Sequence, residues 1–113
     1  MTDLPDDLSP ELVAELHERG EIELIDIREP HEREAGHVPG SRHIELARLS
    51  QEAGSIGREK PVVLYCRMGG RSTMALQAFK ASGYDAHHMD GGLEAWAEKG
   101  LGLEPEDGSV AGH

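Results

Sequence analysis

The chain has 113 residues, a length that suits one domain with a single hydrophobic core. It carries 22 acidic and 11 basic side chains, for a net charge of −11, so nonspecific binding to nucleic acid or to an anionic membrane is unfavourable. The single cysteine cannot form an internal disulfide, and the sequence shows neither a signal peptide nor an apolar stretch of transmembrane length. We therefore expect a cytoplasmic, soluble and monomeric protein that has neither nucleic acid nor a membrane as a partner.

Helical and strand patterns alternate along the first half of the chain. A helix begins at Ser9-Pro10, which combines a side-chain cap with proline at the first helical position, and it ends at Gly20. Residues 22–27 are apolar on both faces except Glu23 and Asp26, which is typical of a buried strand in a parallel sheet. The patterns that follow predict a helical turn over 31–35, a turn over 37–41, a short strand over 43–45, a weak helix over 46–53 and a polar loop over 54–60.

The second half continues this alternation. Its patterns predict a strand over 62–65, a helix from Ser72 to Gly83, a strand over 86–89, a turn over 90–92 and a short helix over 93–100. This order predicts an α/β fold with a small, mainly parallel central sheet of about four to five strands, flanked by helices on both faces. We assign the domain to residues 1–101. Residues 102–113 have little to bury, and we expect them to form a flexible acidic tail.

Three chemically active side chains stand at or just after predicted strand ends. They are Asp26, Cys66 and Asp90. In parallel α/β sheets the functional site lies at the carboxyl ends of the strands. We therefore expect the three residues to gather at one edge of the sheet.

Cys66 is the most informative of these residues. It lies in a tight loop between the strand over 62–65 and the helix that follows. The N–H groups of such a loop and the positive end of the helix stabilise an anion. A thiol at this position is therefore favoured as the thiolate, which is its nucleophilic form.

The rest of the loop predicts a binding site for one small anion. Gly69 and Gly70 permit backbone angles that turn successive N–H groups inward. Arg71, separated from the cysteine by four residues, can reach back across the loop with its fork of donors, and Arg67 adds a second positive charge. We expect Met68, inside the loop, to point outward, where it could touch a sulfur donor or a partner protein. A cysteine at a strand end is otherwise most often a buried structural residue, but the glycines, the arginines and the helix start together favour catalysis.

The sequence resembles a single-domain rhodanese, a sulfurtransferase of the rhodanese-like family. The resemblance covers roughly residues 8 to 100. It depends on four ordered motifs, which are Asp26 to Glu29, Gly36 to Ser41, Cys66 to Ser72, and Asp90-Gly91-Gly92 with Trp96 after it. Each motif alone would be weak, and their order and spacing make the signal strong.

The resemblance implies the loop from Cys66 to Arg71 as active site. It implies that Cys66 attacks the outer sulfur of a small anionic donor such as thiosulfate and becomes a persulfide. Cyanide, a thiol or a protein acceptor then removes this sulfur, and no cofactor other than the covalent persulfide takes part. The resemblance also implies that Asp26 and Arg28, with Ser72, support the loop through hydrogen bonds, with Arg28 near the substrate, as opposed to forming a surface ion pair.

Three alternatives remain open. A non-enzymatic protein-interaction module could keep the fold without the chemistry, although such modules need neither the thiol nor the arginines. Cysteine phosphatases and arsenate reductases resemble the chain in their Cys–Arg anion loop, but their loops are one residue longer, and the shorter loop here suits a single sulfur atom. A sulfur relay between proteins would use the same Cys66 chemistry and cannot be separated from small-molecule turnover.

The histidines predict no metal site. His87 and His88 are neighbours on a strand, so their side chains point to opposite faces and cannot chelate together. His37 is expected to be a hydrogen-bonded turn residue, and Trp96 to belong to the core.

Overall fold

Five parallel strands form the centre of the molecule, and the computed structural model describes residues 4–111. The strands are β1 (Asp7–Leu8), β2 (Glu23–Asp26), β3 (Arg42–His43), β4 (Val62–Tyr65) and β5 (Ala86–Met89). The helices are α1 (Pro10–Glu18), α2 (Pro30–Ala35), α3 (Leu49–Glu52), α4 (Gly70–Ala81) and α5 (Gly92–Glu98), with 3-10 turns at Leu46–Arg48 and Ala53–Ser55. Residues 1–3 and 112–113, at the outer ends of the predicted domain and tail, lie outside the described residues.

The strands are ordered β1-β5-β4-β2-β3, and each neighbouring pair is parallel. This arrangement confirms the predicted α/β class. The register sets Asp26 of β2 opposite Tyr65 of β4, which brings these two carboxyl ends to the same edge. The two-residue strand β1 has no sequence pattern of its own and was not predicted. Strand β3 also has only two residues and begins one residue before the strand predicted over 43–45.

The core has two halves, one on each face of the sheet, and β4 contributes to both. Val62 and Leu64 pack on the face that α4 covers with residues such as Phe79. Val63 and Tyr65 pack on the other face, with Trp96 of α5 among their neighbours. Side chains of a strand alternate between faces, so a fully apolar strand such as β4 has to be covered on both. Trp96 is a core residue, as expected.

The helix ends follow local chemistry. The Ser9 side chain accepts a hydrogen bond from the Leu12 N–H at 3.2 Å and caps α1 as predicted. Helix α4 begins at Gly70, two residues before the predicted start at Ser72. The first turn is polar and carries no apolar pattern, so the prediction placed the helix start two residues too late. No helix within residues 4–111 is long and apolar enough to cross a membrane.

The C-terminal segment differs from the flexible tail that the sequence predicted over 102–113. Its described part returns to the domain, where Leu103 and Val110 pack against the half of the core that contains Trp96. Glu104 exchanges two backbone hydrogen bonds with His37, at 2.9 and 3.1 Å. The flexible tail was predicted because the segment has few apolar residues. In the structure these few residues pack against the core, so the segment is held in place.

Candidate functional site

The loop at the carboxyl end of β4 places a thiol at the start of a helix. Cys66 follows the last residue of β4, and Gly69 forms the N-cap of α4 with a φ of 120°. This backbone angle is accessible essentially to glycine alone. Gly70 does not have a positive φ, and a Cβ there would meet no atom within 4 Å. The predicted need for unusual backbone angles therefore holds for Gly69 and not for Gly70.

The Cys66 sulfur is enclosed by the loop. The Gly69 N–H points at Sγ from 3.1 Å, and the Ser72 hydroxyl oxygen lies 3.6 Å from it. The cysteine is only 1% exposed. The positive end of the twelve-residue helix α4 therefore faces the sulfur, as the sequence predicted.

A second helix holds the loop from the other side. The Leu93 N–H donates to the Cys66 carbonyl at 2.8 Å, and the Glu94 N–H donates to the Arg67 carbonyl at 3.0 Å. Gly92, with a φ of 61°, lies so close that a Cβ would clash with both carbonyl oxygens. The glycine pair after β5 thus allows the first turn of α5 to bind the backbone of the cysteine loop.

Arg71 does not stand alone beside the thiol. Its Nη1 and Nη2 donate to the two carboxylate oxygens of Glu32 at 2.7 and 2.9 Å. The hydrogen bond to Glu32 raises the pKa of Arg71 against the effect of burial, and the negative charges of Glu32 and Cys66 add to it. Burial alone would raise the pKa of Glu32, but hydrogen bonds from Arg71 and Glu29 and the charge of Arg71 lower it to about 2.

Glu32 was missed by sequence analysis. It is the third residue of α2 and is completely buried, and it accepts a hydrogen bond from the Glu29 N–H at 3.0 Å. The acid at the third position after a helix start is a capping-box pattern, which predicts this local hydrogen bond. Nothing in that pattern points to Arg71.

Of the other loop side chains, Arg67 forms an ion pair and Met68 is exposed to solvent. The Arg67 Nε lies 3.4 Å from the Glu94 carboxylate, so the second positive charge that we predicted beside the thiol is balanced by α5. Met68 points outward and is 59% exposed. Of the two predicted loop arginines, Arg71 is paired with Glu32 of α2 and Arg67 with Glu94 of α5.

Asp26 and Arg28 form a buried network beneath the site. Arg28 Nε and Nη2 donate to the two carboxylate oxygens of Asp26 at 2.9 and 2.8 Å, and both side chains are fully buried. Nη2 also donates to the Gly36 carbonyl at 2.8 Å. The Tyr65 hydroxyl donates to Asp26 at 3.1 Å, and burial together with the Asp26 charge raises the pKa of Tyr65. The network therefore holds the residue that precedes Cys66, and Arg28 is directed to Asp26 and Gly36.

Two adjacent histidines take separate partners, as their strand alternation predicted. His88 Nδ1 lies 3.0 Å from Ser72 Oγ, and its Nε2 lies 2.6 Å from the Asp7 carboxylate. His87 contacts Asp85 at 2.8 Å instead. The contact between His88 and the cysteine loop was not predicted, because it joins residues from distant parts of the sequence.

Within the described part of the chain, Glu29, His31 and Glu32 bring three potential metal-ligating atoms within 4.8 Å of one another. Because Arg71 occupies both carboxylate oxygens of Glu32, this cluster does not make a convincing metal site.

The fold and the loop together define a class of protein: a parallel α/β domain that presents one cysteine in an anion-binding loop at the start of a helix. The family model of the rhodanese-like domain matches residues 9–99. The chain belongs to the rhodanese-like family, and the resemblance found in the sequence is confirmed.

Individual relatives agree with this assignment. The chain is 34% identical over 97 residues to thiosulfate sulfurtransferase GlpE of Pseudomonas aeruginosa, across 85% of this chain and 87% of that protein. It is 41% identical over 78 residues to the uncharacterized protein YqhL of Bacillus subtilis, across 68% of this chain, and spans 62% of that protein. The crystal structure of a rhodanese-related protein from Thermoplasma volcanium has the same fold, with a TM-score of 0.82 at 23% identity, across 88% of this chain and 97% of that one.

Proposed function

We propose that this protein is a sulfurtransferase that carries sulfane sulfur as a persulfide on Cys66. The observation that carries the proposal is the 3.1 Å contact from the Gly69 N–H to the Cys66 sulfur at the start of α4. A donor aimed at the sulfur from the positive end of a helix favours a negative charge there. The similarity to GlpE, named a thiosulfate sulfurtransferase, supports the same chemistry.

In the first half-reaction the Cys66 thiolate attacks the outer sulfur of a donor such as thiosulfate. The S–S bond of the donor breaks, and sulfite leaves with the bonding electron pair. A new S–S bond joins the transferred sulfur to Cys66, and the outer sulfur of this persulfide carries the negative charge.

In the second half-reaction a nucleophile removes the outer sulfur. Cyanide, a small thiol or a protein thiol attacks it, and the electron pair of the breaking S–S bond returns to Cys66. The reaction is a double displacement, and the covalent persulfide holds the sulfur between its halves without a further cofactor.

The first turn of α4 suits the charge on the outer sulfur. The initial N–H groups of a helix have no carbonyl partner within the helix, and they converge on the space in front of it. In α4 the first two of these N–H groups belong to Gly70 and Arg71. They are positioned to stabilise a persulfide anion as well as the thiolate from which it forms.

Paired charges determine how the donor binds. Arg71 is bound to Glu32 and Arg67 faces Glu94, so each positive charge of the loop is matched by a carboxylate. We therefore infer that a small anion is held by directed hydrogen bonds from the loop and from Arg71, more than by a net positive field. This arrangement suits a small donor with one reactive sulfur.

One observation favours a second candidate function. Met68 in the loop and Met74 in α4 are large apolar side chains that are 59% and 72% exposed. Exposed methionines are common at protein-binding surfaces. They favour a protein partner, which would be either the sulfur acceptor in a relay or the ligand of a non-catalytic binding module.

Intact-mass spectrometry after incubation with thiosulfate distinguishes these functions. We expect the native chain to gain one sulfur atom and to lose it again on addition of cyanide, and Cys66→Ala to gain none. A native chain that gains no sulfur from thiosulfate or 3-mercaptopyruvate would favour the binding module. Hydrolysis of p-nitrophenyl phosphate in the absence of sulfur loading would instead favour the phosphatase alternative.

A further inference from the structure

A chain of contacts leads from the Cys66 sulfur to the surface of the protein. The Ser72 hydroxyl oxygen lies 3.6 Å from Sγ and 3.0 Å from His88 Nδ1. His88 Nε2 lies 2.6 Å from a carboxylate oxygen of Asp7. Cys66 directly follows β4, and Ser72, His88 and Asp7 lie in α4, β5 and β1, so only the folded sheet brings the four residues together.

Burial changes sharply at the last residue of this series of contacts. Cys66, Ser72 and His88 are all nearly inaccessible, whereas the Asp7 side chain is 65% exposed. A thiol in such a position cannot readily pass its proton directly to bulk water. Asp7 is the point at which the chain of contacts reaches solvent.

The chemistry of the groups determines which atom donates and which accepts in each of these hydrogen bonds. A carboxylate only accepts hydrogen bonds, so the short contact to Asp7 places a hydrogen on His88 Nε2. In a neutral imidazole, Nδ1 then has a free lone pair and accepts from the Ser72 hydroxyl. The Ser72 hydrogen can also turn to the Gly69 carbonyl, at 3.1 Å, so the hydroxyl has two acceptors to choose between.

We propose that Ser72, His88 and Asp7 form a proton relay that deprotonates Cys66, with His88 as the base. The S–H bond of Cys66 breaks and its proton passes to Ser72 Oγ, while the Ser72 proton passes to His88 Nδ1. The products are a thiolate and an imidazolium, and the Asp7 carboxylate stabilises the imidazolium. The Nε2 proton then leaves through Asp7 to water. No oxidant or reductant is needed.

This proposal deepens the proposed function and rests on it, since it describes how the nucleophile of that reaction is formed. It adds two residues, Asp7 and His88, to which the sulfur-transfer steps assign no role. His88 acts on Cys66 through Ser72, so it is a positioning and proton-accepting residue and does not touch the sulfur donor.

Other titratable groups surround His88. On the β1 side, Asp7 contacts the imidazole and Asp6 lies near it, and Cys66 is connected to it through Ser72. On the α4 side, Lys80 binds Asp6 at 2.6 Å. Asp6 is therefore already paired with a positive charge, and Asp7 is the carboxylate in contact with the imidazole.

The neighbouring histidine provides a matched control. His87 is as buried as His88, and its Nε2 contacts Asp85 at 2.8 Å, which makes the same kind of His–Asp pair. Its Nδ1 lies 2.7 Å from the Pro5 carbonyl, so it does not contact Ser72. A substitution at His87 therefore repeats the loss of a buried His–Asp pair without breaking the relay.

Alkylation of Cys66 by iodoacetamide, followed by intact mass between pH 6 and pH 10, tests the relay. This reagent is uncharged and carries no sulfur, so the reaction needs neither a sulfur donor nor the arginines. We expect His88→Asn and Ser72→Ala to slow alkylation at pH 7 by roughly 10²-fold. The rates should approach that of the native chain at high pH, where hydroxide removes the proton, and His87→Asn should match the native chain throughout.

Asp7→Asn gives a second measurement at a residue on the surface, so it does not depend on changing a buried side chain. The side chain is largely exposed, so the variant should fold normally, and we expect it to slow alkylation at neutral pH because the imidazolium loses its counter-charge. Equal rates for His88→Asn and His87→Asn, a loss of the same size at every pH, or a native rate for Asp7→Asn would overturn the relay. A relay-dependent alkylation without sulfur loading from thiosulfate would overturn the proposed function and leave the relay standing.

Discussion

Arg71 and Glu32 are joined by two parallel contacts of 2.7 and 2.9 Å although they lie 39 positions apart in the sequence. The pair ties the first turn of α4 to α2 and fixes the guanidinium beside the cysteine loop. Glu32 is completely buried, and Arg71 supplies the positive charge that pairs with its carboxylate. The arginine thus has a structural role in addition to its proposed role in binding the donor.

We expect Arg71→Ala to reduce both stability and sulfur loading. Removal of the guanidinium takes away the positive charge paired with the buried Glu32 carboxylate, which costs roughly 3 kcal/mol of unfolding free energy. The rate of sulfur loading from thiosulfate should fall by roughly 10²-fold, because a donor to the transferred group is lost. Urea unfolding and time-resolved intact mass measure the two effects.

Arg48→Ala is the matched control for this substitution. Arg48 is 61% exposed and pairs with Glu52 one helical turn away, at 3.1 Å. We expect it to leave loading unchanged and to alter stability by less than about 0.5 kcal/mol. An equal loss of loading in both variants would contradict a specific contribution of Arg71.

The low pKa of Glu32 predicts a pH-dependent part of the stability. Its pKa in the folded protein is about 2, below the ordinary value of 4.5. A group with a lowered folded pKa stabilises the protein above its unfolded pKa, and this stabilisation is lost as the pH falls through the folded pKa. We expect a contribution of roughly 3 kcal/mol to decline between about pH 5 and pH 2.

Glu32→Gln isolates this contribution, because glutamine keeps the shape and cannot titrate. Urea unfolding at several pH values should show a shallower decline for the variant than for the native chain. Identical slopes for the two proteins would show that other carboxylates account for the acid sensitivity.

The surroundings of Gly92 and Gly70 predict opposite effects on stability when each is replaced by alanine. Gly92→Ala places a Cβ against the carbonyls of Cys66 and Arg67 at a positive φ, so we expect a loss of at least about 2 kcal/mol and impaired sulfur loading. Gly70→Ala fills open space at an ordinary backbone angle, and we expect equal or greater stability. Thermal unfolding of the two variants side by side checks this difference, and a Gly92→Ala protein as stable as Gly70→Ala would disprove the close approach.

The packing of the C-terminal segment predicts that it contributes to stability. Leu103 is partly buried against the core, whereas Glu106 is exposed on the same segment. We expect Leu103→Ala to cost roughly 1–2 kcal/mol of unfolding free energy and Glu106→Ala to change it by less than about 0.5 kcal/mol. Chemical denaturation gives both values. Equal stability of the two variants would support the free tail that composition suggested.

The cysteine loop could be predicted because its signals are local. The apolar run over 62–65, the cysteine directly after it and the glycine at position 69 lie within a few residues, and each has a conformational meaning of its own. The α/β order was predictable for the same reason. The exact start of α4 was not, since its polar first turn carries no apolar pattern.

The partners of the loop could not be predicted in this way. Glu32 lies 39 residues from Arg71, and Asp7 lies 81 residues from His88, so no sequence spacing connects them. The same reason applies to the C-terminal segment, whose few apolar residues pack on a core surface built from distant parts of the sequence.

The sequence by itself determined that a cysteine, which we predict to be nucleophilic, stands between a buried strand and a helix, because chain geometry and glycine conformation act over short distances. Only the tertiary structure decided which charges surround that cysteine. The pairing of Arg71 with Glu32, and the contact of His88 with both Ser72 and Asp7, arise from the order of parallel strands and from the helices that cover them. Burial then makes these distant side chains depend on each other for hydrogen bonds, and this dependence is a property of the folded sheet.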